Sequence, residues 1–230
     1  MKKLLLVIFT MVLLPCLLLG QNRKRLPKPP PLPPTKEENI LAEKHNKCFN
    51  SHEYSAIKRR SFFPFGNASS IKLISFKAYN YPNPPVYNEE GKDADTVEND
   101  RMQLLTPVTK DRYYLNLKKV KEIKQVSRAG IDLLTDILFN IGYTPVKKLD
   151  LEIADPGAKC YEPRNAVLFL DGKGNITQYL EICFECRHHY WSSSKVGYIE
   201  YCEDKYELLR RYFLAQGIKY GADPKTINNN

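Results

Sequence analysis

Cys160, Cys183 and Cys186, followed at once by His188 and His189, are the residues of this chain whose types and spacing could do chemistry. Thiolates and imidazoles are zinc ligands, and the three sulfurs with either histidine would complete a tetrahedral set. In an oxidising compartment the same cysteines would be joined instead. Counting outward from Asp171-Gly-Lys-Gly-Asn175, Cys160 falls across from about residues 185 to 187 of the returning strand. Cys186 is therefore its nearest partner, with Cys183 the alternative. Cys183 and Cys186 are three apart and face opposite sides of a regular strand. Joint use of the two needs a bend at Phe184–Glu185. A redox-active pair is a third reading, but here the Cys-x-x-Cys motif closes a strand, where thioredoxin-like motifs open a helix that lowers the first thiol's pKa. A c-type haem site is excluded because position 187 is arginine.

Arg164, Glu181, Glu185, His188, His189 and Tyr190 share this region. Glu181 and Glu185 are expected on one strand face with Cys183, and Arg164 across from about Glu181. A Cys183 nucleophile with His188 as base can be drawn from that inventory. Cross-strand Arg–Glu pairs are also ordinary sheet stabilisers, and no catalytic residue is assigned. No serine elbow, zinc-protease helix, phosphate loop or dinucleotide fingerprint is present. Asp171–Asn175 lacks the acidic positions and closing glutamate of a calcium loop and reads as a turn.

The elements that must position these residues follow from periodicity. Ala166–Leu170 and Ile176–Cys186 are predicted as a β-hairpin about the 171–175 turn. Ile71–Asn80 alternates apolar with polar residues and predicts a strand. Tyr113–Val126 fits a strand or a lysine-rich helix. Ser127 caps a helix in which Ile131, Leu134, Ile137, Leu138 and Ile141 recur at helical spacing, with Gly142 ending it. Glu203–Gln216 predicts a second helix with Tyr206, Leu209, Tyr212 and Phe213 on one face. Thr35-Lys-Glu-Glu38 is a capping box for a short helix to about Lys47, with Ile40 and Leu41 partly buried. The Tyr87–Asp100 stretch is acidic and polar and predicts an exposed loop.

Three stretches carry a resemblance. They are Cys160-Tyr-Glu-Pro-Arg164 with Ala-Val-Leu-Phe-Leu-Asp-Gly-Lys-Gly, then Tyr179-Leu-Glu-Ile-Cys183-Phe-Glu-Cys186, and upstream Leu133-Leu-Thr-Asp-Ile-Leu-Phe-Asn140. This pattern resembles a group of exported bacterial proteins with a Cys-x-x-Pro-Arg strand, a hairpin and an Ile-Cys-x-x-Cys strand. The resemblance spans a third of the chain. It implies that the hairpin is the defining unit of the domain, and it implies no activity.

The N-terminus sets the compartment. Lys2 and Lys3 precede an apolar run from Leu4 to Gly20, the pattern of an export signal. Cleavage near Gly20–Gln21, lipidation at Cys16 and an uncleaved anchor are the three readings. The run is at the short end of a membrane span, and Arg23–Arg25 would lie on the exported side against the positive-inside bias. Residues 21–35 read as a basic, proline-rich linker, an extended spacer suited to a membrane tether. The formal charge of +9 implies attraction to anionic surfaces such as lipid headgroups or acidic glycans. The basic clusters, Lys58–Arg60 beside Phe62, Phe63 and Phe65 among them, read as a solvated face. No RRM, KH or zinc-finger pattern accompanies them, so nucleic acid is not the expected partner.

The expectation is an α+β fold: an antiparallel sheet with a central β-hairpin packed against two or three helices, in one domain over 36–222, with a disordered tail over 223–230. The leading function is an exported envelope protein (periplasmic, surface-bound or secreted) that binds a partner or supports the envelope without catalysis or cofactor. A zinc- or thiol-dependent enzyme at Cys160, Cys183 and Cys186, and a basic module for anionic polymers, are the alternatives.

Overall fold

The computed structural model describes residues 33–78, 104–147 and 160–226. The expected leader, Cys16, most of the proline-rich linker, the Tyr87–Asp100 loop and the Asn228–Asn230 end lie outside these residues. The chain divides into two units, Met1–Thr35 and Lys36–Asn230, and every element below belongs to the second. In chain order these are α1 (Lys36–Asn46), β1 (Cys48–Asn50), α2 (Ala56–Ser61), β2 (Ser70–Phe76), β3 (Leu105–Thr109), β4 (Arg112–Leu115) and β5 (Val120–Gln125). Then follow α3 (Arg128–Phe139), β6 (Ile141–Tyr143), β7 (Asn165–Leu170), β8 (Ile176–Cys183), β9 (His188–Trp191) and α4 (Lys205–Ala215).

The fold is α+β, with the β7–β8 hairpin at the centre of an antiparallel sheet ordered β3-β4-β8-β7-β2-β5. β9 pairs with the C-terminal half of β8, on the same edge that meets β4 at its start. β7 is buried at all six positions because both sheet faces are covered. On one face Leu73, Val167, Phe169, Leu180 and Ile182 pack with Leu134 and Leu138 of α3 and with Leu209 and Phe213 of α4. On the other, Ile74, Phe76, Ala166, Leu168 and Tyr179 form a second core with Leu104 and Leu105. Alternation along each strand feeds both cores, and burial of such side chains supplies the main stabilisation.

Ser127 caps α3 by accepting from the Gly130 N–H at 3.1 Å. The helix stops at Phe139 with Asn140 at its end, and Gly142 lies within β6 instead of terminating the helix. Glycine is needed there for close approach: a Cβ on Gly142 would collide with the Glu200 carboxylate, whose Oε2 accepts from the Tyr143 N–H at 2.7 Å. β6 pairs with β1, and Cys48 of β1 is bonded to Cys202, 154 residues away.

Several expectations are corrected. Ile40 of α1 is exposed, and only Leu41 is half-buried. Of the two readings of Tyr113–Val126, the strand holds: β4 and β5 occupy it, joined through the 3-10 turn Leu117–Lys119. Arg59 is no surface charge: it is buried, ion-paired to Asp136 at 3.1 Å, and donates to the Tyr54 and Asp132 carbonyls. Arg60 pairs with Asp132, while Phe65 sits in the core against Phe169. That basic-aromatic stretch anchors α2 to α3. Pro224–Thr226 forms a short 3-10 turn, so the first residues of the expected tail are ordered. Among the described residues no helix is long and apolar enough to cross a membrane.

Candidate functional site

β8 ends at Cys183, and a four-residue turn, Phe184–Arg187, precedes β9. Cys186 therefore lies in a turn, where the sequence suggested continuous strand. Two features fix it. Phe184 turns to the helix face and meets Phe213 edge-on, with ring centroids 5.5 Å apart. Arg187 takes the left-handed conformation with φ 50°, which reverses the chain at some steric cost. The bend folds the Cys186 N–H back onto Cys183 Sγ at 3.2 Å.

Cys160 and Cys186 are bonded, with Cα atoms 5.5 Å apart, and Cys183 is a buried free thiol. The ligand atoms of Cys160, Cys183 and Cys186 all lie within 4.8 Å of one another. Cys160 is exposed and Cys183 only 2% exposed. Burial pushes the Cys183 thiol up, opposed by the backbone N–H groups of Cys186 and Glu162 and by Arg164, and reinforced by Glu185.

Arg164 binds Glu185 at 2.7 Å and Glu162 at 3.2 Å. It does not face Glu181, which is opposite Ala166. Glu181 is buried on the Cys183 side of the sheet and accepts from the Tyr161 hydroxyl at 3.1 Å. Glu185, in the turn, does not share its strand face.

Strand alternation separates the two histidines. His188 is directly opposite Cys183 and lies edge-on to Tyr161 at 5.2 Å. Residues paired across a sheet point to the same face, so His188 belongs to the sulfur side. His189 points to the helix face, stacked on Tyr201 at 3.9 Å and hydrogen-bonded through Nδ1 to the Tyr206 hydroxyl at 2.8 Å. Burial first, then the charges of His188 and Lys205, lower its pKa to about 4. It is therefore neutral at pH 7. Neither histidine joins the group of sulfurs, and among the described residues no hydrogen bond links His188 to Cys183.

The His189 neighbourhood contains groups that the sequence did not single out. Lys205 is fully buried, its Nζ donating to the Leu138 carbonyl in the last turn of α3 at 2.9 Å. Burial lowers its pKa to about 7, with Glu200 opposing. Burial raises the Tyr201 phenol, which has the Trp191 side chain set against it. Lys205 reads in sequence as a surface residue at a helix start, so no signal marked it.

A groove of about 560 Å³ runs along β9 and the segment that follows, walled by His189, Tyr190, Trp191, Tyr198 and Tyr201 with Ser192–Ser194. Tyr198 is 87% exposed and Tyr190 50%. Among the described residues, none that lines it is Lys, Arg, Asp or Glu. Trp191 is the chain's single tryptophan. No family model, curated protein or solved structure matches the chain.

Proposed function

We propose that this chain is an exported envelope domain that works by binding rather than catalysis, and that the groove beside β9 takes an uncharged oligosaccharide. The observation that carries this reading is the groove lining: exposed aromatic faces and serine hydroxyls, with no Lys, Arg, Asp or Glu among the described residues that line it. Sugar rings present C–H faces to aromatic planes and hydroxyl edges to short polar side chains. Tyr and Trp offer that mixed contact at little entropic cost. A neutral His189 and a protonated Tyr201 keep the wall uncharged at pH 7.

Export rests on the basic-then-apolar N-terminus and on two disulfides, bonds that persist in oxidising compartments. The exported group that the Cys160–Cys186 stretch resembles agrees with that placement. An enzyme centred on Cys183 has less support, because the thiol is buried, raised in pKa and, among the described residues, has no hydrogen-bonded base. Zinc held by Cys160, Cys183 and Cys186 would first require their disulfide to be reduced, and His188 or His189 would have to move to supply a fourth ligand. A basic surface for anionic polymers would be separate from the uncharged groove.

Isothermal titration with chitotetraose, a neutral N-acetylglucosamine oligomer, against heparin tests the reading. Saturable heat from the neutral sugar, unchanged by salt, is expected. Heat from heparin alone, disappearing at high ionic strength, would replace it with the polyanion reading.

A further inference from the structure

The sulfur side supports a step that the groove does not use. A thiol beside a disulfide can displace one of its sulfurs, and Cys183 Sγ lies within 4.8 Å of both sulfurs of the Cys160–Cys186 bond. The N–H groups of Cys186 and Glu162 are directed at Cys183 Sγ, an arrangement that favours thiolate. The two possible bonding partners differ in exposure: Cys160 is exposed and Cys186 half-buried.

We propose that Cys160, Cys183 and Cys186 form a disulfide-exchange site, in which Cys183 displaces Cys160 from Cys186 and leaves the exposed Cys160 thiol for a partner disulfide. The Cys183 thiolate attacks Cys186 Sγ. The Cys183–Cys186 bond forms and the Cys160–Cys186 bond breaks, its electron pair leaving on Cys160. Cys160 takes up a proton equivalent to the one Cys183 lost, so nothing is oxidised or reduced overall. The product is geometrically accessible because Cys183 and Cys186 flank a turn. Ends of a turn lie within about 7 Å between Cα atoms, at the edge of disulfide range. The Cys160 thiolate can then attack a low-mass disulfide, forming a mixed disulfide and releasing one thiolate.

The charged groups around Cys183 set the pH dependence. They are Glu181 on its own strand, Glu185 in the turn, Arg164 and Glu162 on the segment leading into β7, and His188 opposite on β9, with Tyr161 beside it. Only the thiolate attacks, and burial raises this thiol. Exchange should therefore be slow near pH 7 and quicken about tenfold per pH unit below the thiol's pKa.

The test uses the full chain without reductant, incubated with N-ethylmaleimide at several pH values, quenched in acid and digested with trypsin. The native pairing gives peptide 160–164 cross-linked to peptide 174–187. The exchanged pairing gives a maleimide on peptide 160–164 and an internal disulfide in 174–187. We expect the second species to accumulate faster as pH rises, and glutathione disulfide in place of maleimide to mark Cys160. Finding only the cross-linked peptides at every pH would overturn the proposal. In Cys183→Ala and Cys183→Ser, folding being checked by Trp191 emission, Cys160 labelling should drop at least about tenfold. Undiminished labelling of Cys160 in either folded variant would also overturn it.

Discussion

The β8–β9 hairpin has two neighbourhoods of opposite character, and His188 and His189 belong one to each. At the turn end, His188 is exposed, opposite Cys183, among Tyr161, the Cys160–Cys186 disulfide and the Arg164–Glu185 pair. Along β9, His189 stacks on Tyr201, binds Tyr206 and is held neutral beside an uncharged aromatic groove. One step along β9 separates the histidine beside the sulfurs from the histidine beside the groove, while Tyr190, opposite Glu181, brings the sulfur-side face to the groove as well. The comparison shows that a dense list of titratable residues is not yet a site. The pleat decides which of them meet.

The largest expected effect is on the sulfur end. Replacing Cys160 and Cys186 together by serine opens a loop of 26 residues and should cost about 2–4 kcal/mol in denaturant unfolding. Groove binding by the folded fraction should be retained, and its loss would tie the two neighbourhoods together. Next come the histidines. His189→Ala should cost about 1–3 kcal/mol, since it removes a stacked, hydrogen-bonded side chain from a packed site. His188→Ala should change stability by less than about 0.5 kcal/mol. Equal costs in chemical denaturation would contradict the separation of the faces.

The pH dependence sharpens the same contrast. Between about pH 6.5 and about 4 the unfolded chain protonates this histidine while the folded chain keeps His189 neutral. Stability is therefore full above about pH 6.5 and falls as pH drops toward about 4, by on the order of 2–3 kcal/mol. Urea midpoints across that range should show the decline in wild type and a flatter profile in His189→Phe. The smallest stability effect belongs to Tyr198→Ala, within about 0.5 kcal/mol for so exposed a side chain. The same variant should lose most of its affinity for chitotetraose, and unchanged affinity would move the ligand elsewhere.

Much of the fold was legible because two periods are strong. The continuous apolar run of β7, the Asp171–Asn175 turn and the helical spacing of Ile131, Leu134 and Leu138 each specify local structure. Counting outward from that turn placed Cys160 next to Cys186, the pairing found in the structure. The turn after Cys183 was hidden because Phe-Glu-Cys-Arg contains no Gly, Pro, Asn or Asp, and Arg187 takes the left-handed conformation usually left to glycine. Cys48 and Cys202 are 154 residues apart, and only the tertiary fold brings them together. The groove depended on knowing which histidine faces the helices, a matter of register. Its aromatic and serine residues carry no motif.

The most direct test of a binding role independent of the sulfurs is the emission of Trp191, the single tryptophan, titrated with chitotetraose in wild type and Cys183→Ser. Saturable changes with the same affinity in both proteins are predicted. An absent response in folded wild type, or binding that disappears in a folded Cys183→Ser variant, would contradict the account.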